Sequence, residues 1–67
     1  MEFHVKNGYI TLGQLLKACD LISSGAEAKS AVKEMKITVN GEPEARRGGK
    51  LYPGDTAVIE ETTIELK

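Results

Sequence analysis

Two helix-start signals in quick succession, followed by an Asn-Gly pair, constrain this chain more than any other feature. Thr11-Leu-Gly-Gln14 and Ser24-Gly-Ala-Glu27 each have the form of a capping box. A hydroxyl accepts from an early helical N–H, and the Gln or Glu three residues on reaches back to the cap. After the first box, Leu12, Leu15, Leu16, Cys19 and Ile22 recur at helical spacing, which predicts a helix ending near Ser23. After the second, Ala28, Ala31, Val32 and Met35 form another apolar stripe. Neither segment is long enough to be stable alone, so the two must pack on each other or on a sheet. Lys36-Ile-Thr-Val39 then alternates, and Asn40-Gly41 tolerates the positive φ angles of a type I′ turn, so a hairpin is expected there. Pro43 cannot donate to a ladder, which confines the return strand to a short or edge position.

The flanking segments read as strands and turns. Glu2 to Lys6 alternates with Phe3 and Val5 on one side, and Asn7-Gly8 is a turn signal. Arg46 to Lys50 reads as a loop, Pro53-Gly54-Asp55 as a turn, and Thr56 to Glu60 and Thr63 to Leu66 as strands. The expectation is an α+β fold spanning residues 1–67 as one domain, with two short N-terminal helices packed on a small, mostly antiparallel sheet.

A chain of 67 residues buries only about 60% of its unfolded surface, too thin a core to hold a deep substrate cleft as well. That counts against an enzyme. Cys19 is the only cysteine and His4 the only histidine, so no internal disulfide, cysteine-rich zinc site or other metal site is expected, and no cofactor is implied. No apolar run approaches about 18 residues, so no membrane partner is expected and a reducing cytoplasm is the natural home. Cys19 lies on the apolar stripe and reads as a small core residue rather than a nucleophile. Asp55 reads as a turn cap. Glu60 and Glu61 are adjacent on what reads as a strand, which would send them to opposite faces, a poor geometry for paired carboxylates.

Net charge is -1, which says nothing about partners, but its distribution does. From Ser23 to Lys50, Lys29, Lys33, Lys36, Arg46, Arg47 and Lys50 face four acidic residues; from Leu51 to Lys67, one lysine faces four. At about 100° per residue, Lys29, Lys33 and Lys36 fall within roughly 60° of one another, away from Glu27 and Glu34. An ordinary solvated helix face has the same appearance. The Arg46-Arg47-Gly48-Gly49-Lys50 loop is sharper: arginine offers a planar fork for phosphate oxygens, and glycine lets main-chain N–H groups approach an anion. The competing reading is a flexible loop kept soluble by charge. It is not a nucleotide-binding P-loop, because Glu44 and Leu51 stand where that motif needs a glycine and a hydroxyl.

From Ser24 to Asp55 the chain resembles the αL motif of the ribosomal-protein-S-four superfamily of RNA-binding domains. The matching stretches are Ser24-Gly-Ala-Glu-Ala-Lys29, Lys36-Ile-Thr-Val-Asn-Gly41 and Tyr52-Pro-Gly-Asp55, with Ile10 to Lys17 as the preceding helix. Arg46-Arg-Gly-Gly-Lys-Leu-Tyr-Pro-Gly-Asp55 is similar to the short stand-alone members of the YaaA/YbcJ type. A monomer is expected. The resemblance implies a domain that binds structured RNA, such as ribosomal or transfer RNA, at the ribosome or in its assembly. It implies helix contacts at Lys17, Lys29 and Lys33, a hairpin contact at Lys36, and loop contacts at Arg46, Arg47 and Lys50. One position departs from the pattern: larger members carry arginine directly after the capping serine, and here that residue is Gly25.

With only Phe3, Tyr9 and Tyr52 as aromatics, broad stacking on single strands is not expected, and recognition by shape and phosphate is. Two alternatives remain. One is a protein-interaction module for an acidic partner. The other is a ubiquitin-like sulfur carrier, against which the ending Ile64-Glu-Leu-Lys67 argues, since such carriers end in Gly-Gly.

Overall fold

The computed structural model describes residues 1–67. Strands β1 (Glu2–Phe3) and β2 (Ile10–Thr11) precede helices α1 (Leu12–Ala18) and α2 (Gly25–Glu34), and five further strands follow: β3 (Ile37–Val39), β4 (Glu42–Pro43), β5 (Lys50–Leu51), β6 (Thr56–Ile59) and β7 (Thr62–Leu66). The main sheet runs β1-β7-β6-β3-β4 and is antiparallel except for the β1–β7 pair. A second ribbon pairs β2 with β5, Ile10 opposite Leu51 and Thr11 opposite Lys50.

One apolar cluster joins these parts. Leu12, Leu15 and Leu16 come from α1, Ala28, Ala31 and Val32 from α2, and Ile37, Ala57, Ile59, Ile64 and Leu66 from the main sheet. Leu51 adds the ribbon, and Ile22 the helix connection. No polar or charged residue is buried, so every charge lies at or near the surface.

The turns follow from their residues. Asn40 and Gly41 take φ of 53° and 85°, the type I′ combination, and β3 and β4 form the expected hairpin with Pro43 on the edge strand. Asp55 caps its turn by accepting from the Tyr52 N–H at 2.8 Å. Its other oxygen holds the Asn40 amide at 3.0 Å, and the Asn40 carbonyl oxygen accepts from the Thr56 N–H at 2.9 Å.

Several sequence expectations need correction. The first helix ends at Ala18, not near Ser23. Asp20 enters the left-handed region at φ 61°, its N–H donating to the Lys17 carbonyl at 3.1 Å and the Leu21 N–H to Leu16 at 2.9 Å. This is a Schellman stop built without glycine, after which the connection still delivers Ile22 to the core. Ser24 is the N-cap of α2 but makes no side-chain cap hydrogen bond; the Ser23 hydroxyl donates to Glu27 instead. Glu60 and Glu61 form the turn between β6 and β7, Glu60 at φ 56°, rather than extending a strand. Lys50 belongs to β5, not to the loop.

Candidate nucleic-acid interface

The segment between β4 and β5 is held from three sides. The Glu44 carboxylate accepts from the N–H groups of Ala45 and Arg46 at 3.0 and 3.1 Å and lies 3.4 Å from the Arg46 guanidinium. The Arg46 N–H holds the Glu44 carboxyl below the ordinary glutamate value, with burial opposing. The Gly49 N–H donates to the Arg46 carbonyl at 3.1 Å, closing a tight turn over Arg47 and Gly48. A Cβ on Gly49 would stand 2.9 Å from Glu44 Oε2, so glycine is what lets the carboxylate tuck under the loop.

The loop also finishes α1. The Leu12 N–H donates to the Gly49 carbonyl at 2.9 Å and the Gly13 N–H to Arg47 at 2.8 Å. The third orphan donor, of Gln14, goes to the Thr11 hydroxyl at 3.3 Å, and Gln14 returns a bond to the Thr11 N–H at 3.0 Å. The N-terminus of α1 is therefore fully satisfied. That of α2 is not: neither the Gly25 nor the Ala26 N–H meets a protein acceptor.

Between the two helices and the loop lies a groove of about 410 Å³, lined by Thr11, Gly13, Lys17, Gly25, Arg47 and Gly48 among others. Gly13 permits this closeness, since a Cβ there would meet Ala28 Cβ and the Arg47 carbonyl oxygen, each at 3.3 Å. Lys17 and Arg47 thus share one concave surface together with the open end of α2.

The other cations are all exposed. Lys29 lies on α2. Lys33 and Lys36 line a separate groove toward the β3–β4 hairpin, and the Lys36 carbonyl accepts from the Glu60 N–H at 2.8 Å, which brings the acidic turn beside it. Glu27 and Glu34 line a different groove from the lysines, as the helical sectors require. Arg46 is tied to Glu44, and the Lys50 ammonium lies 4.9 Å from the centre of the Tyr9 ring. Sequence reasoning did not reach Gly13, Thr11 or Gln14 as groove-forming residues; only the first capping box hinted at the last two. Cys19 is half-buried against the core, and burial pushes its thiol up, with the amino terminus acting weakly the other way.

Two short helices packed with a small mixed sheet are consistent with the S4 domain class. The S4 domain family model matches residues 3–67, and the chain belongs to that family. It is 55% identical over 51 residues to a protein of Bacillus subtilis (strain 168) named "Probable ribosome maturation protein RlbA", a match that covers 76% of this chain and 72% of the relative.

Proposed function

We propose that this chain is a non-catalytic RNA-binding domain that grips the phosphate backbone of a folded RNA, ribosomal or transfer RNA, and serves ribosome maturation in the cytoplasm as a monomer. The observation that carries this reading is the convergence of Lys17 and Arg47 on one groove with glycine at three of its lining positions. Cations give attraction, and the missing side chains of Gly13, Gly25 and Gly48 let a sugar-phosphate strand come close. The free N–H groups opening α2 add donors at the positive end of its dipole, where larger relatives of the pattern have arginine. Lys29, Lys33 and Arg46 extend the contact, and Lys36 and Lys50 lie at its margins. The name of the Bacillus subtilis relative supports the ribosomal setting.

Each phosphate contact releases counterions, so affinity for a structured ribosomal RNA fragment should fall steeply as salt rises. Reversing the charge of Arg46 and Arg47 together should weaken binding more than any change at Glu60 or Glu61. Coincident salt curves for that double variant and wild type would remove the loop from the interface. If wild type binds no structured RNA even at low salt, a module for an acidic protein partner takes the place of this reading.

A further inference from the structure

A second groove, of about 620 Å³, is lined by Phe3, His4, Lys6, Tyr9 and Gln14 among others, and Tyr52 adjoins Tyr9. The Tyr9 and Tyr52 rings stand 6.0 Å apart and tilted by 51°, so they do not cover one another face to face. Tyr9 is 43% and Tyr52 49% exposed, high for large apolar side chains in a molecule whose core leaves almost nothing uncovered. The charged side chains here are cationic: Lys6 lines the groove, and Lys50 reaches over Tyr9 as a cation–π partner. No acidic residue lines the groove. Asp55, three residues from Tyr52, accepts from the Tyr52 N–H and the Asn40 amide.

This corner is continuous with the phosphate groove. Gln14 lines both, and Thr11 of the phosphate groove sits opposite Lys50 in the β2–β5 ribbon. A strand leaving the Lys17–Arg47 groove past Gln14 therefore reaches exposed rings next to cations.

We propose that Tyr9 and Tyr52 stack one unpaired nucleobase of the bound RNA, so that the preferred substrate is a helix with a single-stranded flank. The proposal rests on the RNA-binding reading above. Exposed π-faces accept any base, Lys6 and Lys50 suit its flanking phosphates, and a single pair of exposed rings suits one base rather than a run of them.

The test uses two RNAs: a blunt hairpin, and the same hairpin with a short unpaired flank carrying 2-aminopurine beside the helix, placed at either end. Wild type should bind one flanked form about tenfold more tightly than the blunt form and quench the 2-aminopurine. Tyr9→Leu and Tyr52→Leu should each reduce the preference and the quenching while leaving blunt-hairpin affinity unchanged. Tyr9→Phe should retain both. Equal affinity of wild type for blunt and flanked forms overturns the stacking inference and leaves the phosphate groove standing. Binding to neither RNA overturns the reading beneath it. A parallel loss for both RNAs in the leucine variants assigns the tyrosines to the fold and overturns the inference as well.

Discussion

The backbone N–H of Gly13 meets the carbonyl of Arg47 at 2.8 Å, so the loop that carries the arginines is also the cap of α1. Helix and loop cannot be perturbed separately. Whatever moves Arg47 uncaps α1, and whatever thickens α1 at Gly13 pushes Arg47 out.

Gly13→Val tests this coupling. A Cβ already meets Ala28 and Arg47 at 3.3 Å, and valine's branches need more room. The variant should lose about 1–3 kcal/mol in urea unfolding, and its affinity for structured RNA should fall with it. Unchanged affinity in a destabilised variant would show that the loop keeps its position without the helix.

The two capping sequences should differ in their contribution. Thr11→Ala removes the hydroxyl half of a formed capping box, the acceptor of the Gln14 N–H, and should cost about 1 kcal/mol. Ser24 makes no side-chain cap bond, so Ser24→Ala should change stability by less than about 0.5 kcal/mol. Thermal unfolding of the two variants side by side gives the order, and a larger loss at Ser24 would contradict the observed α2 start.

Glu44 makes loop stability depend on pH. Its folded-state pKa is depressed, chiefly by the Arg46 N–H, so the folded state favours the carboxylate. The stabilisation is fully present above the unfolded value, about 4.3, and is lost as pH falls through the folded value. Glu44→Gln should therefore be less stable than wild type near neutral pH, and the gap should close in that acidic window. A gap that is flat with pH would mean the carboxylate contributes nothing beyond what an amide supplies.

Arg46 and Arg47 should not be equivalent. Arg46 is paired with Glu44 at 3.4 Å, whereas Arg47 lines the groove and has no acidic partner. Arg47→Gln should weaken RNA binding more than Arg46→Gln and lower the log–log salt slope by about one. Filter binding across a salt series separates them, and equal effects would place both arginines alike on the RNA.

What the sequence made legible is what short-range chemistry controls. Thr11 and Gln14 are three residues apart, Asn40-Gly41 specifies its own turn, and Pro43 announces an edge; all three are found as read. The stop at Asp20 was hidden because a non-glycine residue takes the left-handed conformation there. Ile10–Thr11 escaped notice because two residues carry no periodicity, and their partners Lys50 and Leu51 lie far along the chain. The basic residues were visible as a list but not as an arrangement. That Lys17 shares a groove with Arg47, while Lys36 sits beside Glu60, follows from tertiary packing of α1 against the loop and of β3 against β6.

Asn-Gly is among the most chemically labile dipeptides, since the glycine nitrogen can attack the asparagine amide carbon and expel ammonia. In this fold the Asn40 amide is tied to Asp55 and its carbonyl oxygen to Thr56, so cyclisation first requires releasing both bonds. The hairpin's ageing is thereby tied to how often the domain opens. Deamidation at Asn40, followed by mass spectrometry over weeks, becomes a clock that counts unfolding.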